Sequence, residues 1–149
     1  MRETINAALK EAIRAQDKRR MSTLRLISAA IKDRDIAARG LGKGEASESE
    51  LLELLPKMIK QREESEKIYA DAGRTELTKG EAEEIAIIRE FLPKQLSEVD
   101  MQKAIADAIA EAGASSVKDM GKVMTALKAR YAGQMDFGKA GQLVKAKLG

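Results

Sequence analysis

The chain contains no cysteine and no histidine. The first absence removes disulfides and thiolate metal sites, and the second removes the commonest general base and the commonest zinc ligand. Aromatic residues are almost missing too, with no Trp and only Tyr69, Tyr131, Phe91 and Phe137. Most of these rings fall on apolar helix faces, which leaves no spare platform for stacking single-stranded bases. Proline occurs only as Pro56 and Pro93. No apolar run approaches the roughly 20 residues needed to cross a bilayer, and Met1-Arg2-Glu3 leads into an amphipathic pattern rather than a signal peptide. A soluble, cytoplasmic protein without metal, cofactor or membrane partner is expected.

What is present favours helices. Of 149 residues, 44% are hydrophobic, enough for a core, and Ala, Leu, Lys, Glu, Ile and Met dominate over β-branched and aromatic types. An all-α fold is predicted. Ile5, Ala8, Leu9, Ala12 and Ile13 follow the spacing of one buried helical face. Asp17 is placed to cap a second helix with Met21, Leu24, Ile27 and Ile31 inside, flanked by a basic stripe of Lys18, Arg25, Lys32 and Arg39 at every seventh residue. Residues 39–46, with three Gly, read as a flexible connection.

Ser47 with Glu50 forms a capping box for a third helix to about Ala72, within which Pro56 predicts a kink or a later start. Gly73 reads as its C-cap, and Thr78 with Glu81 as the capping box of a fourth helix carrying Ile85, Ile88 and Leu92. Pro93 ends that helix, and Ser97 with Asp100 opens the next. The sequence thus predicts an N-terminal domain of about four helices over residues 1–95. A small three-helix domain follows over residues 96–149, with apolar faces on Met101, Ile105, Ala108 and Ile109, then Met120, Val123, Met124, Leu127 and Tyr131, then Phe137, Ala140, Val144 and Leu148.

The second domain holds a repeated unit. Asp119-Met120-Gly121-Lys122-Val123 recurs seventeen residues later as Asp136-Phe137-Gly138-Lys139-Ala140, and Lys128 is matched by Lys145. Each copy reads as a helix start with Asp as N-cap, yet Gly weakens the first turn and Lys opposes the positive end of the helix dipole. Two accounts fit: bare first-turn amides beside an ammonium form a phosphate seat, or each Gly allows close helix approach. Residues 117–149 hold seven basic side chains against Asp119 and Asp136, a net +5 within a chain of net +3. Such a basic segment points to a polyanionic partner. The candidate RNA-binding residues are Lys118, Gly121, Lys122, Lys128, Arg130, Gly138, Lys139 and Lys145, with Lys18, Arg25, Lys32 and Arg39 as a secondary stripe.

Signatures of catalysis are missing. No phosphate-binding Gly-rich loop, dinucleotide fingerprint or Gly-x-Ser-x-Gly elbow occurs, so no catalytic residue is assigned. The acidic clusters Glu63, Glu64, Glu66 and Glu81, Glu83, Glu84 read as solvated helix faces.

Several motifs in order carry a family resemblance: Leu24-Arg25-Leu26-Ile27 with Ala29-Ala30-Ile31-Lys32; Lys60-Gln61-Arg62-Glu63-Glu64-Ser65 with Tyr69 and Ala72-Gly73-Arg74; Phe91-Leu92-Pro93-Lys94-Gln95-Leu96-Ser97; and Asp119-Met120-Gly121-Lys122-Val123-Met124. Together they resemble the YqeY-like proteins, nearly end to end. Pro56 departs from the polar residue expected there. The resemblance implies a two-domain helical protein whose C-terminal part is similar to the tail of the B subunit of the glutamine-dependent aspartyl/glutamyl-tRNA amidotransferase, where the tail helps hold tRNA. It also implies the family's label of carbon-nitrogen ligase activity with glutamine as donor, without supplying catalytic residues for it. A non-catalytic, tRNA-associated module is the leading expectation, with a possible protein partner in tRNA-dependent amidation. A protein-interaction module docking through its N-terminal helices is the alternative.

Overall fold

The computed structural model describes residues 1–149, and its regular structure is wholly helical. The helices are α1 (Arg2–Ala15), α2 (Lys18–Gly40), α3 (Glu48–Asp71), α4 (Thr75–Arg89), α5 (Glu98–Ala112), α6 (Met120–Tyr131) and α7 (Phe137–Leu148), with a 3-10 turn at Val117–Asp119 before α6. They form two compact units, Met1–Leu92 and Pro93–Gly149.

In the first unit the caps follow local chemistry. The Asp17 carboxylate accepts from Arg20 N–H at 3.1 Å and Ser47 Oγ from Glu50 N–H at 3.2 Å, each satisfying an orphan amide of α2 or α3. α3 ends as Gly73 turns left-handed at φ 71°, which lets Arg74 N–H reach back to Tyr69 O at 2.8 Å. The start of α4 differs from expectation. It begins at Thr75, one turn early, so Thr78 lies inside the helix and its hydroxyl donates to Arg74 O at 2.9 Å instead of capping. α3 also begins before Pro56 and runs through it, with no later start.

Leu24, Ile27, Leu51, Leu55 and Ile88 are fully buried in a core shared by α1 to α4. Ile13, expected inside, is 47% exposed at the end of α1. The connection after α2 is anchored: the Arg2 guanidinium pairs with Asp35 at 2.7 and 2.8 Å and donates to Ala46 O, while Ala46 N–H donates to Asp35 Oδ1 at 2.9 Å. The Arg2 guanidinium and the Ala46 amide hold the Asp35 carboxyl below the usual carboxylate range. Beyond this anchor, the stretch around Gly42 and Gly44, both left-handed, is exposed.

The acidic clusters are not simply solvated. Glu84 is half-buried between Arg62 at 3.0 Å and Arg19 at 3.7 Å, Glu83 pairs with Arg19, and Glu63 with Arg89. Gly80 makes room for this. A Cβ there would lie 3.1 Å from Arg19 Nη2, so the guanidinium crosses α4 where no side chain stands.

In the second unit, Ser97 Oγ accepts from Asp100 N–H at 3.1 Å and Gly113 closes α5 in the left-handed region at φ 61°. Leu96 N–H donates to Gln134 O at 2.8 Å, tying the segment after Pro93 to the turn between α6 and α7. Ile105, Val123, Leu127, Ala140 and Val144 form its core.

Candidate nucleic-acid interface

The seventeen-residue repeat is a repeat of helix faces. On α6 the buried positions include Val123 and Leu127, and on α7 their counterparts Ala140 and Val144. Turning outward are Gly121, Lys122, Thr125, Lys128 and Ala129 on α6, and Gly138, Lys139, Gln142, Lys145 and Ala146 on α7, all exposed. Each outward residue of one helix thus has a partner seventeen positions on. Thr125 and Gln142 complete these faces and were missed by reading only the start of each copy. The signal that finds them is the same offset carried two turns further.

The two helix starts differ in detail. Asp136 behaves as predicted: its carboxylate accepts from Gly138 N–H at 2.9 Å and from Lys139 N–H at 3.3 Å. These two amides are therefore committed, which leaves the exposed Lys139 ammonium, and not bare Gly138 backbone, open at this helix start. Asp119 does not cap α6. It sits in helical conformation at the end of the 3-10 turn, and its carboxylate turns back to accept from Ser115 N–H at 3.0 Å. That bond, with help from the Ser116 amide and the nearby Lys122 charge, holds the Asp119 carboxyl below its ordinary range.

Neither glycine serves close helix packing. A Cβ on Gly121 would meet nothing within 4 Å, and one on Gly138 would meet only Asp136 Oδ1, at 3.2 Å. The glycine that does face a neighbouring helix is the buried Gly141, opposite the methyl groups of Met120 and Met124.

Lys118, Lys122, Lys128, Lys139 and Lys145 are exposed and make no ion pair. Arg130 differs from them, being tied to Glu111 of α5. Glu111 raises the Arg130 guanidinium further above its ordinary value and is itself lowered by it, so this cation already has a carboxylate partner. Its counterpart in the repeat, Lys147, is exposed and unpaired.

The secondary stripe is also exposed and unpaired at Lys18, Arg25, Lys32 and Arg39 on α2, in the first unit. No group of three acidic residues is placed to hold a metal ion, and no helix is long and apolar enough to cross a membrane.

The curated protein named altered inheritance of mitochondria protein 41, mitochondrial, from Lachancea thermotolerans, is 30% identical over 105 residues, which is 69% of this chain and 54% of that protein. The chain thus spans about half the length of this relative. Residues 2–148 match the family of Yqey-like proteins, so the chain belongs to the YqeY-like family.

Proposed function

We propose that this chain is a tRNA-associated, non-catalytic helical module that holds RNA by phosphate contacts through its second unit. The observation that carries this reading is the pair of matched outward faces on α6 and α7, each presenting unpaired lysines at equivalent positions beside small residues. Unpaired ammonium groups attract a phosphate backbone and release its counterions, whereas a cation already bound to a carboxylate contributes little. Absence of aromatic side chains from these faces suits backbone and shape recognition over base stacking. The similarity to the tail of the amidotransferase B subunit that the sequence motifs imply for residues 96–149 supports tRNA as the nucleic acid and a role beside glutamine-dependent amidation. The family's ligase label is then an association with that reaction, whose chemistry belongs to other domains.

The test is tRNA binding by fluorescence anisotropy across a salt series. Lys122→Ala and Lys139→Ala should each weaken binding and lower the salt-dependence slope by about 0.7 to 0.9, to a similar degree across tRNA species. Arg130→Ala should change binding less than either, because Glu111 already pairs with that cation. The reading fails if tRNA binds no better than heparin at near-physiological salt, or if the lysine substitutions leave binding unchanged.

A further inference from the structure

α2 sorts its cations by direction. Arg19 and Arg20 point toward α4 and are paired there with Glu83, Glu84 and Glu90. Lys18, Arg25, Lys32 and Arg39 point away from the core and form no ion pair, with Asp17 and Asp33 exposed near them and Asp35, already held by Arg2, near Arg39. At 1.5 Å per residue, their seven-residue spacing sets successive cations about 10.5 Å apart, in a row about 31 Å long.

The row is not purely ionic. Ser22, Ala29 and Ile36 alternate with the cations along the same face, and Leu26 flanks them. Ile36 is 55% exposed and Leu26 45% exposed. Near the N-terminal end an open depression of about 410 Å³ is lined by Lys18, Met21, Ser22, Arg25 and Leu26. It offers apolar side chains between two cationic ones. Small residues at Ser22 and Ala29 allow another helix to lie close, and a heptad spacing is matched by a second helix with the same period.

We propose that the outward face of α2 docks an acidic amphipathic helix of a partner protein, with its carboxylates in heptad register against Lys18, Arg25, Lys32 and Arg39 and its apolar residues over Leu26 and Ile36. Charge complementarity chooses this occupant. A second copy presenting the same face would set cation against cation. A phosphate backbone would satisfy the cations but leave Leu26 and Ile36 without apolar cover. A bilayer surface calls for a broad apolar face, and the apolar stripe of α2 is spent on the core. Docking of a helix along a helix face by alternating anchors is an established recognition mode. The inference is independent of the RNA reading, which rests on the other unit.

The probe is a labelled synthetic helix of about 21 residues, three heptads, with Glu at one heptad position and Leu beside it. A scrambled peptide of equal composition and a tRNA transcript serve as comparisons, all titrated into the full chain. The heptad peptide should bind at least roughly tenfold tighter than the scrambled one. Arg25→Glu with Lys32→Glu should abolish that preference, and Leu26→Ser with Ile36→Ser should weaken the peptide several-fold while leaving tRNA affinity unchanged. Circular dichroism verifies that both variants are folded, and Arg25→Gln with Lys32→Gln repeats the charge test without reversal. The proposal is overturned if the heptad peptide does not bind, if the scrambled peptide binds equally, or if the apolar variant leaves peptide binding unchanged. It is also overturned if the α2 charge variants weaken tRNA instead of peptide.

Discussion

Gly141 is buried inside α7, where a buried glycine would ordinarily be read as indispensable, and the geometry around it argues the opposite. An added Cβ would lie 3.5 Å from the Met120 methyl and 3.8 Å from the Met124 methyl, ordinary van der Waals contact with the ends of two flexible side chains. Replacing Gly by Ala in a helix interior is worth about 0.8 to 1 kcal/mol of helix propensity. Burying the new methyl adds up to about 0.8 kcal/mol, less whatever the two methionines lose in rotamer freedom. Gly141→Ala should therefore stabilise the second unit by about 1 kcal/mol, a rise of about 4 to 8 °C in its melting temperature. Gly121→Ala, open to solvent, should gain only part of the propensity term. Gly138→Ala should gain least, because its Cβ presses on the Asp136 carboxylate, whose cap is worth about 1 kcal/mol. Thermal unfolding combined with amide hydrogen exchange of α5 to α7 gives the ranking for this unit alone. A fall in stability for Gly141→Ala, or a larger gain for Gly138→Ala than for Gly141→Ala, would refute the packing argument.

Two further outcomes concern the first unit. Pro56 denies the carbonyl four residues before it, that of Leu52, its helical partner, so Pro56→Ala should stabilise by about 1 to 3 kcal/mol in urea unfolding with an unchanged m-value; destabilisation would show that the ring itself is needed. Asp35 is depressed in the folded state by Arg2 and Ala46, so its contribution is fully present above the ordinary aspartate range and is lost as pH falls through the lowered folded value. Asp35→Asn should accordingly flatten the fall in stability below about pH 4, and an unchanged acid limb would contradict that role.

Elements whose signals are local were legible in the sequence. Asp17, Ser47, Ser97 and Asp136 each act on amides two or three residues away, and all four cap as expected. Thr78 carried the same kind of signal and failed, because α4 starts directly from the turn that Gly73 makes and has already enclosed it. Asp119 failed for a related reason: the 3-10 turn brings the Ser115 amide within reach of its carboxylate. The exposure of Ile13 and the burial of Glu84 depend on which helices lie alongside, which no window of α1 or α4 contains.

Charge was legible as a sum but not as availability. Lys18, Arg19 and Arg20 are consecutive, yet a helix turns each about 100° from the last, so two meet carboxylates of α4 and its C-cap Glu90 while the first meets solvent. Arg130 and Lys147 occupy equivalent places in the repeat, and only the arginine has a glutamate within reach. At the start of α6 the same test gives a sharper answer. Lys118, in the 3-10 turn, and Lys122, in the first turn of α6, are like charges close in sequence. Both oppose the positive end of the helix dipole. Gly121 sacrifices up to about 1 kcal/mol of propensity without touching another helix. Asp119 and Lys122 offset part of this electrostatically, but nothing inside the unit repays the glycine or the second lysine. Locally unfavourable choices that the fold does not use are where binding is expected to supply the compensation. On that argument the start of α6 is the first place to look for a phosphate, held there by the Lys118 and Lys122 ammonium groups because the Met120 N–H already donates to Val117 O, ahead of α7, where Asp136 occupies the amides.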